Sequence, residues 1–127
     1  EIGLYKSASM MSGVPNFATI IGLGAASWTE KADLVAEYLC RIINYLPEKG
    51  YDCAYPETEV NETKRPFIDS LNSGYIKRAI NDFPNQGQSM AWSIGLDFKK
   101  ESKYLLKGPI DDGHLKFDKL KNVKSQA

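Results

Sequence analysis

Residues 16–34 read NFATIIGLGAASWTEKADL and contain the strongest secondary-structure signals of the sequence. The first part of this stretch, residues 17–21, is an apolar run with β-branched members, which is typical of a strand buried on both faces. A helix pattern follows after a short glycine-containing turn. Ser27 and Glu30 have the spacing of a capping box, in which each side chain accepts a backbone N–H at the start of a helix. We therefore expect a strand, a tight turn and a helix that begins near Trp28.

The helix pattern continues with apolar residues at spacings of three and four, which predicts one buried face. The members of this apolar stripe are Leu34, Val35, Tyr38, Leu39, Ile42, Ile43 and Leu46. The charged residues expected mostly off the stripe are Glu30, Lys31, Glu37 and Arg41. Pro47 and Gly50 are expected to end the helix, because proline removes a hydrogen bond and glycine accepts a left-handed cap.

The turn between the predicted strand and helix is a candidate ligand site. Open α/β sheets bind ligands at the carboxyl ends of their strands. A helix N-terminus adds free N–H groups and partial positive charge, which suit a phosphate or a ring that becomes anionic. Residues 22–27 (GLGAAS) resemble a dinucleotide fingerprint with serine in place of its last glycine. The match is incomplete, because the acidic residue needed about 20 positions downstream would fall inside the helix.

Composition and charge exclude several classes of protein. The 127 residues suffice for one domain with a modest core. Sixteen basic and sixteen acidic residues cancel, which argues against nucleic acid or an anionic membrane as a partner. No apolar run approaches about 18 residues and no secretory pattern is visible, so we expect a soluble, cytoplasmic protein. Cys40, expected in the core, and Cys53, expected in a loop, lack the spacing of a metal site.

The other segments are expected to form short elements. The sequence predicts a strand at residues 2–6, a loop at 51–66 with an extended pair at 52–55, helices at 73–84 and 90–106, a hairpin across 107–117, and a disordered tail after Lys119. The residues expected to face inward are Tyr75, Ile76, Ala79, Ile80, Phe83, Trp92, Leu96, Tyr104 and Leu105. Asp111 and Asp112 are interpreted as turn residues rather than paired carboxylates. His114 is expected on the solvated surface.

Nine motifs or single residues share their order with one enzyme family. They are residues 11–17 (MSGVPNF), 21–22 (IG), 26–34 (ASWTEKADL), 38–41 (YLCR), 65–67 (RPF), 73–75 (SGY), 83–87 (FPNQG), Trp92 and 108–113 (GPIDDG). In this order they resemble the carboxyl-terminal part of class B flavin-dependent monooxygenases of the Baeyer–Villiger, ethionamide-activating type. The resemblance covers nearly the whole chain. The chain departs from the family at residues 23–25 (LGA), which affects the loop, and at Ser93 and residues 97–98, which affects the docking of the extension.

The resemblance implies an α/β fold fragment of a longer FAD- and NADPH-dependent enzyme. Such enzymes insert one oxygen atom from O2 into ketones or soft heteroatoms of a small-molecule substrate through a peroxyflavin. Residues 1–50 would be the last strand and closing helix of a Rossmann-like FAD domain, and residues 51–127 a mainly helical extension. The residues implied at the cofactor are Gly22, Gly24, Ala26, Ser27, Trp28 and Thr29, with no catalytic residue and no metal ligand among them. Ser27 is also interpreted first as a helix cap, and Trp28 equally as a packing residue.

Three alternatives remain open from the sequence. As a fragment, the chain is expected to be inactive, to bind neither cofactor alone and to self-associate through apolar surface or a strand edge. The first residue, Glu1, then reflects an engineered boundary, a processed terminus or a piece of a longer protein. The second alternative is a stand-alone, non-enzymatic binding domain. The third is a small nucleotide-binding domain that uses residues 22–27.

Overall fold

The computed structural model describes residues 3–21, 27–57, 64–66, 73–94 and 97–122. The helices are α1 (Trp28–Glu48), α2 (Gly74–Ala79) and α3 (Phe98–Lys107). Single 3-10 turns lie at Ile80–Asp82, Met90–Trp92 and Leu120–Asn122. The predictions for Gly22, Gly24, Ala26 and Leu96, and for the tail beyond residue 122, lie outside the described residues. No helix in the described ranges is long and apolar enough to cross a membrane.

The strands form two separate antiparallel pairs. Strand β1 (Leu4–Tyr5) pairs with β2 (Met10–Met11), and β3 (Cys53–Pro56) pairs with β4 (Leu115–Asp118). The turn between β1 and β2 contains three successive residues with positive φ, at +39° for Lys6, +60° for Ser7 and +64° for Ala8. Mixed helix and strand, as the sequence predicts, is therefore the observed class.

The start of α1 confirms the capping-box prediction. Ser27 Oγ accepts the backbone N–H of Glu30 at 3.3 Å, and the Glu30 carboxylate accepts the backbone N–H of Ser27 at 3.4 Å. The predicted stop at Pro47 is slightly wrong, because Pro47 lies inside the last turn and the helix ends at Glu48. The chain then reverses through Gly50, whose φ of +78° favours glycine.

The buried face of α1 follows the predicted stripe with two exceptions. Leu34, Val35, Tyr38 and Ile42 are buried, and Leu39 and Leu46 are partly buried. Ile43 is wrongly predicted, because 65% of its surface is exposed. Lys31 is also wrongly predicted, because it is fully buried. Lys31 precedes Leu34 and Val35 by three and four positions, so helical geometry places it on the same face.

The predicted buried strand at residues 17–21 is not formed. These residues have no regular secondary structure, and Phe17 and Ile20 are 39% and 53% exposed. The Thr19 backbone N–H donates to the Ser9 carbonyl at 2.8 Å, which tethers the segment beside the β1–β2 turn. A strand needs hydrogen-bonding neighbours, and in the described ranges no strand pairs with this segment.

The predictions for the second half of the chain are confirmed in part. The helix predicted at 73–84 is shorter, and the Ser73 side chain makes no capping hydrogen bond. Tyr75 is wrongly predicted to face inward, since 69% of it is exposed, and Phe83 is 39% exposed. The helix predicted at 90–106 is divided into a 3-10 turn and α3, which begins after the cap Asp97.

The predicted hairpin across residues 107–117 is wrong. Strand β4 pairs with the distant β3, with Cys53 opposite Asp118 and Pro56 opposite Leu115. The segment after α3 carries Gly108 and a proline, and Arg41 holds the Gly108 carbonyl at 2.6 Å, so this segment serves as a helix exit rather than a strand. The extended pair predicted at 52–55 is confirmed as β3. Cys53 is consequently buried in a strand.

One main core joins the two halves of the chain. It combines the α1 stripe with residues of the first hairpin, α3 and β4. Its buried members are Tyr5, Met10, Leu34, Tyr38, Ile42, Ala54, Ala91, Trp92, Leu105, Ile110 and Leu115. The predicted burial of Trp92 and Leu105 is confirmed. The prediction for Cys40 is wrong, since its thiol lies on the exposed side of α1.

Candidate functional site

The described part of the predicted cofactor loop is open to solvent. Ser27, Trp28 and Thr29 are all exposed, and 67% of the Trp28 surface is accessible. An indole this exposed adds nothing to the core, although aromatic side chains are the largest contributors of buried apolar surface. Of the two sequence interpretations of Trp28, packing against this chain is therefore wrong. A wall for a ligand or another segment remains a prediction.

The first turn of α1 has amide groups to offer a ligand. In an α-helix the first N–H groups have no intrahelical partner, and here Ser27 Oγ satisfies that of Glu30. The N–H groups of Trp28 and Thr29 belong to the same exposed turn. The Glu30 carboxylate also accepts from the Ser27 hydroxyl at 3.0 Å, and its charge offsets part of the positive end of the helix dipole. This turn consequently suits the electronegative edge of a ring better than a phosphate.

An apolar groove borders the irregular segment at residues 17–21. It has a volume of about 480 Å³ and lies between that segment and the second half of α1. Its apolar lining includes Phe17, Ala18, Leu39, Ile43, Leu46 and Tyr51. Apolar surface of this extent, beside a segment that has no strand partner in the described ranges, marks a face that other polypeptide can cover.

A second polar centre lies inside the protein, around Asp112. One carboxylate oxygen accepts the Tyr5 hydroxyl at 2.6 Å and lies 3.3 Å from the Lys6 ammonium. The other oxygen accepts the backbone N–H groups of His114 and Leu115, each at 3.0 Å. The predicted turn role of Asp112 is therefore confirmed. Its second role, as the counter-ion of a buried lysine, was not predicted.

Lys6 lies in an aromatic cage formed by the rings of Tyr5, Tyr38 and Tyr104. Its ammonium is 4.7 Å from the ring centres of Tyr38 and Tyr104 and 5.5 Å from that of Tyr5, within cation–π range. Burial lowers the pKa of Lys6, and Asp112 opposes that shift. Burial raises the pKa of all three cage tyrosines, that of Tyr104 to about 12.

The Asp112 pKa balances opposing influences. Burial alone would raise it, but the Tyr5 hydroxyl, the Leu115 N–H and the Lys6 ammonium together hold it below its ordinary value. The carboxylate is thus charged at neutral pH. It is a structural anion that connects the first hairpin to the segment before β4.

Two further side-chain contacts inside the protein were not predicted from the sequence. The Trp92 indole N–H donates to His114 Nδ1 at 3.1 Å, so the prediction of a solvated His114 is wrong. Lys31 of α1 forms a buried ion pair with Glu101 of α3. The helical period could have predicted the burial of Lys31, because it places Lys31 on the same face as Leu34 and Val35. No local sequence pattern identifies its partner. In the described ranges no group of His, Cys, Asp and Glu side chains is arranged to hold a metal ion.

The comparisons with known proteins find relatives among the flavin-dependent monooxygenases. Curated relatives named as FAD-containing or FAD-binding monooxygenases align with about nine-tenths of it, which confirms the resemblance to flavin-dependent monooxygenases. No protein-family profile and no solved structure matches the chain.

The particular relatives include AlmA and two mycobacterial proteins. AlmA of Acinetobacter baylyi is 44% identical over 117 residues, which are 91% of this chain and 23% of the relative. EthA of Mycobacterium tuberculosis is 38% identical over 113 residues, 87% of this chain and 22% of the relative. MymA of the same species is 40% identical over 114 residues, which are 89% of this chain and 23% of the relative. The chain therefore spans less than a quarter of the length of these relatives.

Proposed function

We propose that this chain is the flavin-bordering, carboxyl-terminal part of an FAD-dependent monooxygenase. The observation that carries the proposal is the exposed first turn of α1. It presents Ser27, Trp28 and Thr29 a few positions after the apolar segment at residues 17–21, which has no strand partner in the described ranges, and the chain aligns almost throughout with monooxygenases named as FAD-binding or FAD-containing. If the turn contributed to the core, the Trp28 indole would be buried, whereas a turn that faces a cofactor leaves the indole accessible.

The residues of this turn fit a flavin ring in distinct ways. The amides of Trp28 and Thr29 would hold an electronegative edge of the ring, where negative charge develops on reduction. Ser27 fixes the start of the helix and so the direction of those amides. Trp28 would flank the ring, and the glycines at 22 and 24 would permit close approach of the backbone. When bound, FAD supplies the redox chemistry by which O2 is activated and one oxygen atom is transferred.

We infer that residues 17–21 become the last strand of a Rossmann-like FAD domain when the rest of that domain is present. Their apolar, β-branched composition and their exposed side chains support this. Residues 1–50 would close the FAD domain, and residues 51–127 would form the extension. The groove along α1 would then be covered by the remaining polypeptide of the same enzyme.

The inferred parent reaction is NADPH-dependent insertion of one oxygen atom into a ketone or a soft heteroatom. The ordered series of motifs shared with the Baeyer–Villiger type supports this choice. The 127 residues alone contain no complete dinucleotide fingerprint, so we expect the isolated chain to be inactive and to hold neither FAD nor NADPH. The exposed groove predicts self-association of the isolated chain.

The experiment that tests the proposal is transplantation. The aligned segment of AlmA is replaced by this chain, and the purified chimaera is assayed for retained FAD and for NADPH oxidation coupled to product formation. We expect FAD retention and coupled turnover, because the chain would supply the same border of the flavin. A folded chimaera that binds no FAD would contradict the proposal.

A stand-alone interaction domain is the second candidate function. It is favoured by the continuous core, in which α1, α3 and both strand pairs share buried residues. Such a domain would be a monomer with a cooperative thermal transition, and its stability would not increase when the remainder of a monooxygenase is present. Sedimentation of the isolated chain distinguishes the two candidates, since the first predicts self-association through the groove.

A further inference from the structure

Asn16 connects the irregular segment at residues 17–21 to strand β3. Its backbone N–H donates to the Ala54 carbonyl at 2.9 Å. Its side-chain amide adds two hydrogen bonds, since Nδ2 donates to the Asp52 carbonyl at 3.0 Å and Oδ1 accepts the Ala54 N–H at 2.9 Å. Asn16 thus holds the backbone of β3, and of the residue before it, at three points.

These hydrogen bonds lie on the edge of β3 that faces away from β4. Strand β4 pairs along one edge of β3, and in an antiparallel pair the backbone groups of alternate residues point to opposite edges. On the other edge, the Pro56 carbonyl accepts the Gly13 N–H at 2.8 Å, and Asn16 bonds to Ala54. Pro15, which precedes Asn16, has no N–H to donate. The Asn16 side chain therefore supplies the donor and the acceptor that a paired strand would supply from its backbone.

The backbone conformation of Asn16 is set by these contacts. Its φ is +54°, in the left-handed region, which asparagine tolerates better than most residues but at a cost. Asn16 is exposed, so burial of its side chain does not compensate for this cost. A non-glycine residue keeps such a conformation when surrounding contacts over-determine it, and such residues cluster at functional sites. Here those contacts are the hydrogen bonds to residues 52–54.

A second anchor lies at Thr19, further along the same segment. The Thr19 N–H donates to the Ser9 carbonyl at 2.8 Å, and the Thr19 hydroxyl donates to the Ala8 carbonyl. Thr19 thus fastens the segment to the first hairpin, whereas Asn16 fastens it to the extension that follows α1. Together the two anchors fix the course of residues 16–19, a short distance in sequence before the first turn of α1.

We propose that Asn16 is a positioning residue for the flavin. By holding the start of residues 17–21 on β3, it lets the extension determine where the first turn of α1 lies relative to the ring. Asn16 itself would not touch the cofactor. The inference rests on the proposed function, and it gives the extension a role at the flavin border. A segment that is held in place in advance loses less conformational entropy when FAD binds, so FAD binds more tightly.

Asn16→Gly in the AlmA chimaera tests the proposal. Glycine accepts the positive φ, so the course of the backbone can be kept while both side-chain hydrogen bonds are lost. We expect the dissociation constant of FAD, measured by titration of the apo-chimaera, to rise about three- to tenfold. The visible circular dichroism of the FAD-saturated protein, which reports the surroundings of the ring, should change as well.

Hydrogen exchange of the 127-residue chain tests the contact itself without a flavin. The Ala54 N–H has Asn16 Oδ1 as its acceptor, so Asn16→Gly should speed the exchange of this amide by about tenfold or more. An unchanged exchange rate at Ala54 would overturn the proposal.

Asp97→Ala is the matched control, because it also removes a hydrogen bond from a side chain to the backbone, the 3.2 Å cap of the Lys100 N–H at the start of α3. It should lower the urea midpoint of the chimaera, while the FAD affinity and the flavin circular dichroism stay unchanged. If Asn16→Gly gives this same result, or if both variants weaken FAD binding equally, the proposal is overturned. An unaltered chimaera that folds but binds no FAD would overturn the proposed function, and this inference with it.

Discussion

Replacement of Asp112 by asparagine tests the buried centre of the fold. The side chains of Asp112 and Lys6 are 6% and 0% exposed, and Asp112 accepts from a tyrosine 107 positions away in the sequence. Asparagine keeps one oxygen for the backbone N–H groups of His114 and Leu115. Its amide nitrogen then replaces the oxygen that faces the Tyr5 hydroxyl and the Lys6 ammonium, so Asp112→Asn leaves a buried cation without its anion.

The expected cost is about 3–5 kcal/mol in the free energy of unfolding, as for other buried ion pairs that lose one partner. The lost Tyr5 hydrogen bond is part of this figure, since neighbouring contacts do not add independently. Against a total of about 5–15 kcal/mol for an ordinary domain, this is a large share. With an m-value of about 2 kcal/mol/M, the urea midpoint should fall by about 2 M.

Urea unfolding followed by circular dichroism measures the effect. Asp111→Asn is the matched control, because Asp111 is the exposed neighbour and should change stability by less than about 0.5 kcal/mol. Adding Lys6→Met to Asp112→Asn should restore more than half of the loss, since the buried charge is then gone. A midpoint for Asp112→Asn equal to that of Asp111→Asn would refute the reasoning.

The same variant has a defined pH dependence. The folded-state pKa of Asp112 lies below its ordinary value of about 3.8, so its carboxylate stabilises the fold fully above the unfolded-state pKa. This contribution is lost as the pH falls through the lower, folded-state pKa. The difference between the wild type and Asp112→Asn should therefore shrink below about pH 4. A difference that stays constant down to pH 2, about two units below the unfolded-state pKa, would contradict the assignment.

Three further predictions concern other parts of the molecule. Alkaline pH should lower the free energy of unfolding above about pH 10, because burial raises the pKa of the cage tyrosines and only the unfolded chain loses their protons there; urea unfolding at about pH 8 and about pH 11 measures the loss. Ser27→Ala should cost about 1 kcal/mol in urea unfolding, whereas Ser27→Asp, which can also cap, should cost less than half of that. Lys31→Met should cost about 3 kcal/mol, because it removes the ammonium that pairs with buried Glu101, whereas Met at exposed Lys103 should be nearly neutral.

Local signals explain what the sequence predicted well. The capping box at Ser27 and Glu30 and the apolar period of α1 act within one or two helical turns, so a single chain segment contains the whole pattern. The turn role of Asp112 is likewise local, since its side chain bonds to backbone two and three residues ahead. These features needed no knowledge of the remaining fold.

Partners distant in sequence explain the failures. Strand β4 pairs with β3 instead of its neighbour, and the choice depends on which edge the core leaves available. The ion pairs of Lys31 and Lys6 were not predicted, because their carboxylate partners lie 70 or more positions away in the sequence. The strand predicted at residues 17–21 shows a third reason, because its composition predicts a central strand, whereas no strand in the described ranges pairs with it and Phe17 and Ile20 are 39% and 53% exposed.

The central claim is that the first turn of α1 borders a flavin, and Trp28→Ala tests it most directly in the AlmA chimaera. Tyr75→Ala is the matched control, because the two rings are 67% and 69% exposed and neither supports the core of this chain. We predict that Trp28→Ala weakens FAD binding about tenfold, because one aromatic contact with the ring is lost. Tyr75→Ala should leave FAD binding unchanged. Equal FAD affinity in both variants and the unaltered chimaera would contradict the claim.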